Sequence, residues 1–274
     1  MIGVTRRESD QQHEIIPDAV PILPLRNIVV FPGTVLPLTI GRPSSRQLLQ
    51  DSLSQSKVIG VFTQRNAEQD EPAAIDLYQV GTAVLVLKLI RQSEESMLIV
   101  VQALQRIRIR RVLQAVPFIR AEVDVLESST PPADDKHWRA TVGSLRDTAI
   151  KLIELTPDAP VEARELLANI EDPGLLADFL ASNLALDVPE KQDLLEELDV
   201  VKRVRAVQLR VSTQLEIAQL QQKIQKDVAS QFTDAQRRAY LRQQVRAIQK
   251  ELGEDDTGAE AQVEKLKQRL EEAK

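Results

Sequence analysis

The sequence contains no cysteine, so disulfide scaffolds, thiolate zinc sites, iron–sulfur clusters and cysteine nucleophiles are excluded together. That absence fits a reducing cytosol. Aromatics are sparse, with one Trp, two Tyr and five Phe, and glycine occurs only nine times. With 43% hydrophobic and 28% charged residues, the 274-residue chain reads as globular and leaning toward helix. Collagen, mucin and extended disorder are excluded. No apolar run approaches the roughly 18 residues that a membrane span needs. The opening MIGVTRRESDQQHE turns polar before an apolar signal segment can develop. A cytoplasmic, unanchored protein is expected.

Phosphate-binding glycine loops are missing as well. Neither G-x-x-x-x-G-K-[ST] nor G-x-G-x-x-G occurs, so no ATP site is expected in these residues. His13 and His137 are the only histidines and have no metal-ligand spacing, which makes them surface residues. Ser54 to Lys57 matches S-x-x-K, but the accompanying S-D-N and K-T-G elements are absent. The acidic pairs Glu196-Glu197 and Asp255-Asp256 lack an apolar pocket to raise a pKa, and read as solvated charges. No catalytic residue and no metal ligand is expected.

What the chain does have is unevenly distributed. Residues 1–127 hold 14 of the 35 Lys+Arg and 14 of the 41 Asp+Glu, so the whole net charge of −6 falls on residues 128–274. Two parts with different tasks are implied. Residues 1–19 carry no periodicity and read as a mobile terminus. From 20 to 127 the signals are strands, at 28–31, 59–62, 83–90, 97–104, 106–112 and 119–125, with one helix at 44–54. Residues 83–90 are apolar on both faces except Lys88, which marks a central strand whose hairpin partner begins at Met97. A compact, mostly antiparallel β domain follows.

Residues 128–135, with Pro131 and Pro132, read as a linker. Beyond it the period becomes 3.6. Helices are expected over 134–156, 160–170, 173–185 and 189–198, with Pro160, Pro173 and Pro189 near their starts. Together they make a small bundle over 136–198, with Phe179, Leu180, Leu184, Leu194, Leu195 and Leu198 as its core. Residues 199–252 contain neither Pro nor Gly and predict one long helix, or two in line, of roughly 80 Å. Its apolar seam slips through 219–227, so a single clean heptad register is not expected. Residues 253–258 form a turn, and Val263, Leu266 and Leu270 begin another helix. The chain is expected to be part of something longer.

Two clusters suggest contact with partners. Arg106, Arg108 and Arg110 alternate with apolar residues on one strand and are expected to share a wet face with Arg111, where they can meet phosphates or acidic peptide. No aromatic is interleaved, so stacking on single-stranded nucleic acid is unsupported. In the apolar segment 22–38, Pro24, Pro32 and Pro37 interrupt strand pairing, leaving Leu25, Phe31 and Leu36 near loops as candidate contacts for unfolded peptide.

Four segments carry a family resemblance. Residues 21–42, PILPLRNIVVFPGTVLPLTIGR, resemble the opening of the amino-terminal region of bacterial ATP-dependent Lon proteases. The likeness recurs at Asp172-Pro173-Gly174 through Leu184, at 191–200 (KQDLLEELDV) and at 240–255 (YLRQQVRAIQKELGED). Before Tyr240 the family usually has an acidic residue and another aromatic, where this chain has Arg238 and Ala239.

The resemblance implies an α+β chain: a PUA-like, mostly antiparallel β domain, a helical bundle and a long, coiled-coil-like helix. That helix leads to an AAA+ module needing ATP and Mg²⁺ and to a Ser-Lys peptidase, neither of which has a counterpart here. The parent implied is a homohexameric serine protease of protein quality control. It degrades misfolded, damaged and short-lived regulatory proteins. Tyr240, Leu241, Val245, Ile248 and Leu252 are then the assembly and coupling face. Two other readings stay open. One is a nucleic-acid module using the basic strand, with weak DNA binding; the other is a structural spacer that only oligomerises.

Overall fold

The computed structural model describes residues 16–52, 56–93, 96–132, 135–156 and 161–251, excepting the side chains of 52, 161–162, 228–237 and 248–251. Most of the expected N-terminal segment, His13, the start of the S-x-x-K match, Leu252 and the expected turn and helix after it lie outside the described residues. Six strands come first: β1 (Ala19–Leu25), β2 (Val35–Ile40), β3 (Val58–Thr63), β4 (Val80–Arg91), β5 (Met97–Gln114) and β6 (Arg120–Val125). Helix α1 (Pro43–Ser52) lies between β2 and β3. Helices α2 (Lys136–Leu155), α3 (Val161–Asn169), α4 (Pro173–Asn183), α5 (Val188–Glu196) and α6 (Val200–Glu251) follow.

The sheet runs β2-β5-β4-β3-β1-β6, and a further β5–β6 pairing closes it on itself. Closure depends on the length of β5, 18 residues. Its first part pairs with β2 through Met97 to Gln102, and its last part pairs with β6 through Ile107 to Gln114. A register shift against β4, where Ala83 and Val84 face Gln105 and Ala103, falls between the two parts, and further shifts at Ile109/Arg111 and Val112/Gln114 lie within the β6 pairing. Every pairing is antiparallel except β1 with β3. The expected strands at 97–104 and 106–112 are therefore one strand.

Residues 28–31 are not the strand that their composition suggests. Asn27 (φ 57°) and Gly33 (φ 79°) both take the left-handed conformation and turn the chain at either end of the segment. Its carbonyls are satisfied by side chains instead of a ladder: Thr63 Oγ1 donates to Ile28 O at 2.7 Å and Thr82 Oγ1 to Val30 O at 2.6 Å. A loop can be buried on those terms. The prolines, conversely, do not prevent pairing. Pro37 lies on β2, an edge strand bonded only to β5. Ile22 N–H donates across to Ile119 O at 2.8 Å, and Pro24, two residues on, turns its missing donor to the same side just where β6 has not yet begun.

Helices α2, α4 and α5 are capped by aspartates. Asp135 accepts from His137 N and Trp138 N; Asp172 accepts from Leu175 N with Pro173 opening α4. At α5, Asp187 and Glu190 form a reciprocal capping box. Two apolar clusters lie on opposite faces of β1, β3 and β4, and a third joins Val29, Phe31 and Val80 to the buried faces of the helices. Of the expected bundle core, Leu180, Leu184, Leu194 and Leu195 are buried, while Phe179 packs against them half-buried. Sheet and helices group into one compact unit up to Leu215, and the remainder of the chain from Glu216 is a second.

Candidate functional site

The second half of β1 and the whole of β2 are not bonded to each other. β6 pairs with β1 only at residues 19–21, and β2 has β5 alone as a neighbour. Between them lies a groove of about 610 Å³ lined by Leu23, Leu25, Ile28, Pro37, Arg42 and Ser45, among others. Through Pro24, Arg42 and Ser45 it continues into a small hollow against Ala115, Pro117 and Phe118. That second wall is the β5–β6 connection, where Val116 stands 81% exposed.

Alternation divides β2 into two faces. Leu38 and Ile40 turn into the apolar cluster that holds Leu23 and Leu25, with Leu36 packed against it, whereas Val35, Pro37 and Thr39 face the other way. Pro37 is opposite Val100 and Thr39 opposite Leu98, and Leu98 continues across the sheet to Ile90. Val35, Leu87 and Ile90 are exposed by 60%, 50% and 38%. An edge strand with an apolar outer face is the arrangement that proteins usually blunt with lysine or cover, because its free backbone groups invite another strand.

Of the three apolar residues singled out in the sequence, Leu25 lines the groove, although only 6% exposed. Leu36 is half-buried on the inward row of β2. Phe31 has no exposed surface and belongs to the helical core, because the turns at Asn27 and Gly33 tuck it inward. It is a packing residue and not a contact on a free loop. Ile28, Arg42 and Ser45 were not singled out, and Pro37 was noted only as an interruption of strand pairing. Their only local signal is Gly41-Arg42-Pro43, a helix start with no Ser, Thr, Asp or Asn at the capping position.

Charge around the groove is mixed. Arg26 pairs with Asp70, and Arg42 donates to Gln64 Oε1. Burial pushes the Arg42 guanidinium down from the ordinary arginine range, and Arg26 adds to that shift, while Glu71 and Asp70 oppose it.

The basic strand is divided by the fold. Arg108 and Arg110 are exposed, but Arg106 is buried and its guanidinium is bonded to both carboxylate oxygens of Asp178 on α4. The expected shared wet face is corrected accordingly: helix α4 covers the end of the row. The exposed members meet acids from β6. Arg108 is registered opposite Asp124, Arg110 reaches Glu122 at 3.2 Å and Asp124 at 3.7 Å, and Arg111 reaches Glu122 at 2.6 Å.

On α6, Val200, Val204, Val207 and Val211 are buried in the helical core. From Ile217 onward large apolar side chains are exposed: Ile217 by 50%, Leu220 by 60% and Ile224 by 53%. Tyr240, Leu241 and Val245 are exposed too, and Gln244 donates to the Tyr240 hydroxyl at 3.1 Å. The side chain of Ile248 and all of Leu252 lie outside the described residues. Among the described residues, no helix is long and apolar enough to cross a membrane, and no group of three or more His, Asp or Glu is arranged to hold a metal ion.

Comparison with known proteins gives one consistent family. Residues 19–213 match the ATP-dependent protease La (LON) substrate-binding domain. The chain is 42% identical over 241 residues to Lon protease 2 of Myxococcus xanthus, covering 88% of this chain and 29% of that protein. It is 38% identical over 268 residues to Lon protease of Dictyoglomus thermophilum, covering 98% of this chain and 33% of that protein. It thus spans about a third of the length of the curated relatives it matches. Among solved structures, the N-terminal domain of Mycobacterium avium complex Lon protease superposes with a TM-score of 0.55 at 22% identity, covering 71% of this chain and 98% of that one. At that identity the likeness speaks for the fold.

Proposed function

The chain belongs to the Lon protease substrate-binding domain family, and on that premise we propose that it captures exposed apolar or unfolded segments of protein substrates for an ATP-dependent, cytoplasmic Lon serine protease. The barrel (20–127) and the bundle (136–198) act as receptor. The long helix (199–252) couples that receptor to ATPase and peptidase modules outside these residues, which supply the ATP and Mg²⁺ site and the Ser-Lys dyad. This part of the protein then has no catalytic centre of its own. Tyr240, Leu241, Val245, Ile248 and Leu252 serve assembly of the homohexamer.

The observation that carries this reading is the open β2 edge, apolar on its outer face and bordered by the groove in which Leu25, Ile28 and Pro37 meet. An extended, unfolded segment can satisfy its backbone on such an edge and set alternate side chains on the apolar surface. The ion pairs of Arg110 and Arg111 with Glu122 and Asp124, and the place of Arg108 opposite Asp124, reduce the free positive charge of this face, which weighs against the nucleic-acid reading.

The test is binding of the chain to a labelled, permanently unfolded protein, to its folded form and to duplex DNA, each at low and moderate salt. Preference for the unfolded chain that survives added salt, and that drops at least fivefold in Ile28→Asp and Val35→Asp, supports the receptor. Binding of DNA alone, with a steep salt slope, replaces it with the basic-strand reading. No binding by any of the three leaves a spacer.

A further inference from the structure

Helix α1 begins without a cap. Arg42 stands where a capping side chain would be, so the first turn has no side-chain oxygen to receive its N–H groups; Arg46 N–H is the first to find an intrahelical acceptor, Arg42 O at 2.9 Å. Pro43 has no N–H, which leaves those of Ser44 and Ser45 at the positive end of the helix dipole. Two further donors converge there. Ser45 is 4% exposed, borders both the groove and the hollow beside it, and its hydroxyl has no hydrogen-bond partner among the described residues. Arg42 borders the same two spaces, and its Nη1 is buried without a hydrogen-bond partner while the other η-nitrogen is held by Gln64.

A serine hydroxyl on a residue only 4% exposed, a buried guanidinium nitrogen and an uncapped helix start together suit an acceptor carrying negative charge. The nearby acids Asp70 and Glu71 act on Arg42 only through space and do not bond to these donors. Asp70 is engaged by Arg26, and Glu71 accepts from Ser44 Oγ at 3.3 Å; neither bonds to Arg42 or to Ser45. Arg42 Nη1 can meet one carboxylate oxygen, with Ser45 and the helix N–H groups for the other.

We propose that this pocket is a carboxylate-anchoring subsite for the substrate segment: an extended apolar segment lies along the β1–β2 groove and delivers a carboxylate, its own chain terminus or an Asp or Glu side chain, to Arg42 and Ser45. The proposal rests on the receptor reading and deepens it. Affinity for apolar chain comes from the groove and the β2 edge, and the subsite fixes the register and direction in which the segment lies.

Three N-acetylated, leucine- and valine-rich octapeptides distinguish the outcomes by fluorescence anisotropy with the whole chain: one with a free C-terminal carboxylate, its C-terminal amide, and an amide carrying Asp as its last residue. The free acid or the Asp peptide is expected to bind about tenfold more tightly than the plain amide, and which of the two does so identifies the source of the carboxylate. Ser45→Ala should cut that preference to below about threefold, leaving the amide unaffected. Ser45→Asp, which places a carboxylate in the pocket and caps α1 internally, should abolish it while leaving the melting temperature equal or higher. Equal affinity for all three peptides, or a preference that survives both substitutions, overturns the subsite and leaves the receptor standing. If none of the peptides binds, the receptor and the subsite fall together.

Discussion

Asp178 accepts from both η-nitrogens of Arg106, at 2.8 and 2.6 Å, although the two residues are 72 positions apart. The pair is almost completely buried and ties β5 to α4. Arg106 Nε donates onward to Leu195 O at 2.8 Å, at the end of α5. Arg203 of α6 also reaches Asp178, 3.1 Å away but without hydrogen-bond alignment, and burial pushes its guanidinium down from the usual range. One carboxylate thus serves two buried cations from two elements.

Removing that carboxylate should be costly. Asp178→Ala strands Arg106 and Arg203 in the interior, and a loss of about 3–5 kcal/mol is expected in urea denaturation. The double substitution Asp178→Leu with Arg106→Met, which removes one charge of each sign, should recover at least half of it. If the single and double variants are equally destabilised, the cost lies in packing and not in the uncompensated charge.

A second test concerns how closely β4 approaches β3. A Cβ on Gly81 would fall inside van der Waals contact of the Val61 carbonyl oxygen and within 2.6 Å of the Phe62 ring. Backbone cannot yield as a flexible side chain does, so Gly81→Ala should lower stability by about 1–3 kcal/mol. Gly143→Ala, where nothing lies within 4 Å, is the matched control and should be neutral or stabilising. A thermal melt that ranks the two the other way would show that the barrel relaxes at this point.

The pairing on the basic strand has a signature in acid titration. The hydrogen bond from Arg111 holds the Glu122 carboxyl below the usual carboxylate range, with Arg110 contributing. A depressed folded-state pKa means that the associated stabilisation is present above the unfolded-state value and is lost as pH falls through the folded one. Carbon-detected NMR titration of Glu122 should show that low midpoint, and Arg111→Gln should raise it. Glu122→Gln with Asp124→Asn should also strengthen any salt-sensitive binding of a polyanion, since it frees Arg110 and Arg111.

Helices α2 to α5 were legible in the sequence to within a few residues, because a 3.6-residue apolar period, an aspartate cap and an opening proline are all signals carried by neighbours in the chain. The same holds for the β4–β5 hairpin, whose strands are joined by a short polar connection. β1 and β2 were missed for a different reason. Prolines argue against a strand only if the donor they lack is needed, and that depends on which side of the strand has a neighbour. The uncapped start of α1 is written in Gly41-Arg42-Pro43, but that Ser45 is buried beside a groove is not.

Composition and periodicity were enough to establish a mostly antiparallel β region followed by helices, the long α6, and the lack of cysteine, nucleotide-loop and metal-ligand patterns, since each depends on residue type or on spacing along one element. Tertiary structure alone decided which polar and apolar residues are available to a partner. Strand alternation places Arg106, Arg108 and Arg110 on one side, yet only the fold brings α4 over the first of them and β6 acids beside the others. Likewise, only long-range packing sends Phe31 into the core while leaving Pro37 and Ile28 at the groove. Burial is a property of what arrives from elsewhere in the chain, and no local pattern encodes it.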